Sequence, residues 1–179
     1  PHAPQEGARV TTAHPALVVN NATSPEGAAL RYEFEVYGDA ELLQALPGLP
    51  VVPVFLNTYY PPNQPTPKRC YAIGRAIRAA VESYPSPIRV AVLASGGLSH
   101  FVVDEAFDRS IIDALRDKDT AALAALPAQR LISGSSEIRN WIAAAGAVEH
   151  LPLAWVEYIP AYRSPAGTGT GLCFAAWRA

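Results

Sequence analysis

Apolar side chains form a short unbroken run in the middle of the chain, VAVLA at residues 90–94. Such a run is typical of a strand that is covered on both faces. Gly96 and Gly97 follow, and they predict a sharp turn or a close approach of the backbone to a ligand. Ser99 and His100 therefore come just past the carboxyl end of the predicted strand, where open α/β sheets place their active sites.

Two interpretations of His100 are open from this pattern alone. It is either a catalytic histidine at the rim of a sheet or a histidine whose ring holds a loop by hydrogen bonding. The neighbouring Ser99 suggests a third idea, a serine nucleophile with a histidine base. Adjacent residues of an extended chain point in different directions, so we do not favour this pairing.

The hydrophobic pattern predicts further elements before the glycines. Residues 30–37 alternate apolar and polar side chains, which predicts a half-exposed strand. Residues 50–58 form a second apolar run, and Pro53 inside it predicts an edge strand or a bulge. In residues 67–84 apolar side chains recur every three or four positions, which predicts an amphipathic helix that begins at Pro67.

The second half of the chain has three predicted helices and two predicted strands. Asp104 can cap a helix with an apolar face, and a short alanine-rich helix is predicted at 119–126. A further helix is predicted within residues 133–147. The chain then predicts two strands, at residues 154–159 and 172–177.

Glu137 has a notable position in the predicted helix of residues 133–147. It lies one turn before Trp141 and therefore shares the predicted inward face. A carboxylate that points inward needs a partner, because an unpaired buried charge is costly. The alternative is a first-turn glutamate that favours the helix dipole or reaches back to free amides.

The proline-rich loop before the first predicted helix is a second candidate for a binding surface. Asn57, Tyr59 and Tyr60 could line a pocket there, or they belong to a packed surface loop. Three arginines could each pair with a substrate carboxylate, but surface positions fit them better: Arg69, Arg139 and Arg163.

Composition limits the class of protein. A chain of 179 residues with 50% apolar and 17% charged residues predicts one globular domain. A formal net charge of −2 argues against nucleic acid as a partner. The absence of a long apolar run argues against a membrane span, and two isolated cysteines, Cys70 and Cys173, predict a reduced, cytoplasmic protein.

Three segments together resemble one known family: LNTYYPPNQPTPKRCYAIGRAIRAAVES, VAVLASGGLSHFVVDEAFD and SGSSEIRNWIAAAGA. They are similar to the catalytic subunit of class III extradiol ring-cleaving dioxygenases, of the protocatechuate 4,5-dioxygenase type. The resemblance covers residues 50–177 and leaves residues 1–49 as a short or divergent N-terminal part. It implies an α/β fold, a single three-layer domain with a central mixed β-sheet flanked by helices.

The resemblance also implies a chemistry. Such enzymes hold one non-haem Fe(II) by two histidines and a carboxylate, with open positions for a catechol and O2. His100 corresponds to the acid/base histidine, which is not an iron ligand, and Glu137 corresponds to the carboxylate ligand. Ser99, Asn57 and Tyr59 are assigned to the substrate pocket. The implied partners are a catechol-like or gallate-like aromatic diol and O2, in a homo-oligomer or a complex with an accessory subunit.

The N-terminal part departs from the family pattern. There the family carries both iron histidines, one in a Ser-His-x-Pro turn and one in an Asn-Asp-His turn. Residues 12–15, Thr-Ala-His-Pro, echo the first turn and make His14 a candidate ligand, whereas residues 20–22, Asn-Asn-Ala, lack the second histidine. Two hypotheses follow: an Fe(II) extradiol dioxygenase, or a metal-free, non-catalytic or partner subunit of the same fold. The first requires His100 and Glu137 to converge on one cavity.

Overall fold

The structure is a computed structural model that describes residues 52–178. The chain divides into two compact units, Pro1–Phe55 and Leu56–Ala179, and the elements below belong to the second. The predicted strand at residues 30–37 and the candidate ligand His14 lie outside the described residues. Residues 52–58 form no strand, contrary to the predicted run at 50–58, and Pro53 lacks the amide that a ladder would require.

Along the described part of the chain a helix is followed by a short strand, then by three helices and finally by two long strands. Between them lie two 3-10 turns, Ala128–Arg130 and Ser133–Ser135. The helices are α1 (Pro67–Glu82), α2 (Glu105–Arg116), α3 (Thr120–Ala124) and α4 (Ile138–Ala147), and the strands are β1 (His100–Val102), β2 (Leu153–Tyr162) and β3 (Thr168–Trp177).

Helix α1 confirms the prediction made from its periodicity and its first residue. The Thr66 hydroxyl caps the helix by accepting a hydrogen bond from the Arg69 amide, and Pro67 occupies the first turn. Its buried side packs on α4 at glycines. A Cβ on Gly74 would lie 1.9 Å from the Ala143 carbonyl oxygen, and one on Gly146 would lie 2.3 Å from the Tyr71 carbonyl oxygen. The two helices therefore cross at a distance that only glycine permits at these positions.

Helix α2 also follows the sequence pattern. Asp104 accepts a hydrogen bond from the Phe107 amide at 3.0 Å and so caps the helix. Apolar side chains of α1, α2 and α4 meet in one core, together with residues of the connecting segments. Its fully or nearly fully buried members include Cys70, Leu98, Ile111, Leu115, Leu123, Leu131, Ile138 and Ile142.

The described sheet has three antiparallel strands in the order β1-β3-β2. β2 and β3 form a long hairpin in which Tyr158 lies opposite Cys173. β1 pairs with the start of β3, so that His100 lies opposite Thr170. This mixture of helices with an open sheet confirms the predicted α/β class, although the pairings in the described part are antiparallel.

The predicted buried strand at residues 90–94 is wrong for the described part of the chain. The segment belongs to none of the described strands, and its apolar side chains are exposed, with Leu93 at 83%. A strand needs a hydrogen-bonded neighbour, and none of the described strands supplies one here. The chain instead enters the sheet at His100. Within residues 52–178, no helix combines the length and the apolar character that crossing a membrane requires.

Candidate functional site

The site is built around residues 95–97, which we call the glycine turn. Gly96 has φ +140°, a conformation that strongly favours glycine. A Cβ on Gly96 would lie 2.9 Å from the Glu137 Cβ, and a Cβ on Gly97 would lie 2.3 Å from the His100 Nε2. Glycine is therefore required at position 96, and Gly97 leaves room for the His100 ring, because the two candidate side chains pack directly on them.

His100 and Glu137 come together at this turn. The His100 Nε2 lies 3.8 Å from the Glu137 Oε2, although the two residues belong to different elements. Such a distance is longer than a hydrogen bond and leaves room for adjustment around a ligand. The two groups are thus close together, as the dioxygenase hypothesis requires, although Glu137 is not among the residues that line the cavity beside His100.

Glu137 precedes the first residue of α4 and does not bind its own helix. Its side chain makes no capping hydrogen bond, which removes the interpretation as a helix cap. The Gly97 amide instead donates to Oε2 at 3.0 Å. The predicted inward position is also wrong, because the side chain is 40% exposed. Glu137 Oε1 has no partner among the described residues and is available to a ligand.

The start of α4 clamps the glycine turn by two further contacts. The Asn140 side-chain amide donates to the Ser95 carbonyl at 2.7 Å, and the Trp141 indole donates to the Gly96 carbonyl at 2.9 Å. With the Gly97–Glu137 bond, this makes three hydrogen bonds between one helix end and one turn. The position of the Glu137 carboxylate beside the turn is therefore well defined.

The His100 ring is partly exposed at the start of β1. It makes no hydrogen bond within residues 52–178, so the described contacts do not support a role in tying down a loop. Its backbone carbonyl passes so close to Gly134 that a Cβ there would lie 2.2 Å away. The backbone of His100 is tightly held while its imidazole remains free for chemistry.

Ser99 is placed differently from the prediction. It is buried, its hydroxyl donates to the Asp108 Oδ2 at 2.6 Å, and its amide donates to the Asp108 Oδ1 at 2.9 Å. The hydroxyl also accepts from the Asp104 amide at 2.9 Å. These bonds do not support a direct substrate contact, and since they orient the hydroxyl toward an acid and not toward His100, they argue against a serine nucleophile.

Sequence reasoning missed Asp108. Its side chain is 0% exposed and accepts a third hydrogen bond, from the Tyr158 hydroxyl at 2.8 Å. Burial raises the pKa of the Asp108 carboxyl, and the bonds from Ser99 and Tyr158 oppose that rise. Burial and the bond to Asp108 also raise the pKa of Tyr158. The signal was visible, because Asp108 precedes Ile111 and Ile112 at helical spacing and so lies on the apolar stripe.

Arg139 was predicted at the surface and is in fact 2% exposed. Among the residues that the structure describes, its guanidinium donates only to backbone carbonyls. Nε reaches Pro65 at 2.9 Å and Nη1 reaches Thr58 at 2.9 Å, with further bonds from Nη1 to Leu131 and Ser136. Burial lowers the pKa of this group. Arg139 therefore joins the loop before α1 to the segment that leads into α4.

That loop carries the other two predicted pocket residues. Asn57 uses both side-chain polar atoms on the backbone of Tyr60, at 2.7 and 3.0 Å. The Tyr59 ring is exposed and packs edge-on against Tyr60, with ring centres 5.1 Å apart. These contacts fit a surface loop that closes on itself, and none of the described contacts links Asn57 or Tyr59 to His100 or Glu137.

An open cavity of about 510 Å³ lies beside His100. Such a volume is within the range of small-molecule pockets, roughly 300–1,000 Å³. The lining is apolar apart from His100, one threonine and one arginine; its residues are His100, Phe101, Ala161, Arg163, Gly169, Thr170 and Leu172. Among residues 52–178 no three histidine, cysteine, aspartate or glutamate side chains form a metal-binding group. The described part supplies the Glu137 carboxylate but not a complete ligand set.

Comparison with known proteins relates the chain to ring-opening dioxygenases. Residues 36–173 match the family model described as the catalytic LigB subunit of aromatic ring-opening dioxygenase. A stretch of 41 residues is 54% identical to gallate dioxygenase of Pseudomonas putida. That stretch is 23% of this chain and 12% of the relative, so the chain matches only a small part of that protein's length.

Proposed function

This chain belongs to the family of catalytic LigB subunits of aromatic ring-opening dioxygenases, and we propose that it is an Fe(II)-dependent extradiol dioxygenase. Its proposed substrates are O2 and a catechol-like or gallate-like ring with neighbouring hydroxyls. The observation that carries this proposal is the approach of the His100 Nε2 to the Glu137 Oε2, 3.8 Å apart on the glycine turn. The similarity to gallate dioxygenase supports the gallate-like alternative.

Glu137 is the proposed carboxylate ligand. Its Oε2 is oriented by the Gly97 amide, and its Oε1 has no partner among the described residues. Carboxylates and histidines are the ligands that non-haem Fe(II) takes in oxygenases. His14, outside the described residues, remains the proposed histidine ligand from the N-terminal part. Glu137 and His14 would hold the ferrous ion, which when bound would supply a binding site for the two substrate oxygens and the activation of O2.

His100 is the proposed acid/base residue. An imidazole accepts and returns protons near neutral pH, and a catechol must lose a hydroxyl proton to chelate a metal. The ring borders the open cavity, so a substrate hydroxyl can reach it there. Phe101 and Leu172 add apolar surface to this cavity, which suits the faces of a single aromatic ring.

The test loads the purified chain with Fe(II) under anaerobic conditions and measures iron per chain. Catechol or gallate is then added with O2, and oxygen uptake and the yellow ring-fission product are followed. We expect His100→Ala to retain iron and lose turnover, and Glu137→Ala to lose iron. Glu157→Ala, an exposed glutamate of β2, is the matched control and should keep both. Full iron occupancy in Glu137→Ala would contradict the ligand assignment.

One observation favours a second candidate function, a metal-free, non-catalytic or partner subunit of the same fold. The second histidine turn of the family pattern is missing from the sequence, where residues 20–22 are Asn-Asn-Ala. A folded protein that binds no iron and consumes no O2 would support this candidate.

Two properties of the whole protein belong to the same proposal. The family description as a catalytic subunit supports assembly as a homo-oligomer or with an accessory subunit. Cys70 and Cys173 are free and buried, and burial raises the pKa of each thiol to about 11. Unreactive, unpaired thiols support a reducing, cytoplasmic location.

A further inference from the structure

We propose that Asp108 is a positioning residue for His100, because its buried carboxylate grips Ser99 and so fixes the adjacent imidazole over the glycine turn. This inference rests on the proposed acid/base role of His100. Asp108 touches no substrate in this proposal and acts only through Ser99.

Both carboxylate oxygens of Asp108 accept hydrogen bonds from Ser99. One carboxylate oxygen accepts the Ser99 amide at 2.9 Å and the other accepts the Ser99 hydroxyl at 2.6 Å. Backbone and side chain of the same residue are thereby tied to one rigid group. Since His100 is the next residue, rotation of the chain at Ser99 is restricted at the point where it would displace the imidazole.

The carboxylate is itself anchored from a second element. The Tyr158 hydroxyl of β2 donates to the Asp108 Oδ2 at 2.8 Å, so helix α2 and strand β2 meet at this oxygen. The amide and hydroxyls that donate to Asp108 are all neutral, and no ion pair among residues 52–178 includes this carboxylate. Hydrogen bonds to a charged group are stronger than those between neutral groups, which suits a fixed geometry.

Strand β3 holds the same segment from the other side. The Leu98 amide donates to the Gly171 carbonyl at 3.0 Å, and the Gly171 amide donates to the Ser99 carbonyl at 2.7 Å. A Cβ on Gly171 would lie 2.0 Å from the Asp108 Oδ2. The strand thus approaches the carboxylate so closely that only glycine fits, and Ser99 is fixed between the two.

A purely structural purpose would not require a carboxylate here. Position 108 continues the apolar stripe of α2, and an apolar side chain would avoid the cost of burying a charge. What the carboxylate provides in exchange is directional bonding to two atoms of Ser99. The geometry indicates that these hydrogen bonds serve to place His100.

The test compares Asp108→Asn with wild type, because asparagine keeps the shape and one acceptor oxygen. The amide nitrogen that replaces Oδ2 cannot accept hydrogen bonds from the Ser99 and Tyr158 hydroxyls. We expect iron content and KM to stay within about twofold, while kcat falls roughly 10–100-fold, the effect expected of a misplaced catalytic group. Asp113→Asn, an exposed aspartate on the same helix, is the matched control and should leave kcat unchanged.

A second readout does not depend on activity. The ring signals of His100 are assigned in a histidine NMR spectrum by their loss in His100→Ala, and His150 serves as an internal reference. We expect Asp108→Asn to shift or broaden the His100 signals and to leave those of His150 in place. If Asp108→Asn does not fold, Tyr158→Phe replaces it, with a smaller shift and a two- to threefold loss of kcat.

The two readouts separate the two proposals. Unmoved His100 signals in a folded Asp108→Asn or Tyr158→Phe protein would overturn the positioning role, whatever the enzyme does. If the His100 signals shift in a variant while the wild-type protein binds iron but shows no turnover, the positioning role is upheld and the proposed function is contradicted. An equal loss of kcat in Asp113→Asn would also overturn it.

Discussion

Among residues 52–178 two charged side chains are almost completely buried, and they are hydrogen-bonded by different kinds of partner. Asp108 accepts bonds from one amide and two hydroxyls, whereas Arg139 donates only to carbonyl oxygens of the main chain. Asp108 supports the segment that carries His100, and Arg139 lies two residues after Glu137. The comparison teaches that the partners decide the role. Asp108, which two hydroxyls and one amide hold, sets the local geometry at Ser99. Arg139, which binds main-chain carbonyls of separate segments, joins those segments of the fold.

The largest effect that this contrast predicts is on stability, in Arg139→Leu. The change removes the donor from several buried carbonyls of separate segments, and we expect a loss of about 3–5 kcal/mol in the free energy of unfolding. Urea denaturation measures it, with Arg116→Leu as an exposed control that should change stability by less than about 0.5 kcal/mol. A loss below about 1 kcal/mol in Arg139→Leu would contradict the proposed difference between the two buried charged residues.

Asp108→Leu should lower stability less, and turnover more, than Arg139→Leu does. The leucine avoids the cost of a buried charge but leaves the donors of Ser99 and Tyr158 without an acceptor, so we expect a smaller stability loss, about 1–3 kcal/mol. Turnover should nevertheless fall further than in the Arg139 variant at temperatures where both are folded. Chemical denaturation and oxygen uptake on the same preparations give the comparison, and a reversed order of the two stability losses would contradict it.

The pH dependence of the free energy of unfolding tests the contribution of Asp108 to stability. Because the pKa of this carboxyl is raised in the folded protein, the folded state binds more protons than the unfolded state, whose carboxyl titrates near ~3.9. The contribution of Asp108 to stability is therefore full below that value and declines as pH rises through the raised pKa. Unfolding of wild type and Asp108→Asn across this window should show a wild-type advantage that shrinks with pH. An advantage that grows would mean that the hydrogen bonds outweigh burial.

The smallest expected effect is that of Tyr158→Phe on stability. It removes one neutral donor from Asp108 and weakens, without breaking, the two hydrogen bonds to Ser99, which should cost about 1 kcal/mol. Tyr162→Phe, which removes a similar bond to Glu105 at the surface, should leave the melting temperature unchanged. Equal shifts in the two variants would show that burial adds nothing to the Asp108 network.

What the sequence could predict was local. Helix α1 followed from Thr66, Pro67 and its apolar spacing, and α2 from the Asp104 cap, because these signals act within a few residues. The glycine turn and its neighbour His100 were also recognisable. These features need no information about the rest of the chain.

What failed depended on partners far along the chain. Asp108 is made a buried anchor by Tyr158, and Arg139 is drawn inside by the carbonyls of Thr58 and Pro65. The apolar segment at residues 90–94 was predicted as a strand from composition, which does not specify a pairing neighbour. Glu137 was predicted inside its helix face and instead binds the Gly97 amide from the helix end.

The glycine crossing of α1 and α4 has a consequence for how this protein can change over time. Gly74 and Gly146 lie far from the reacting groups, yet a methyl group at either would push the helix that carries Asn140 and Trp141 away from its neighbour. The hydrogen bonds of Asn140 and Trp141 to the glycine turn would move with it. Sequence change is therefore better tolerated in the lining of the cavity than at these two positions, which have almost no mutational freedom.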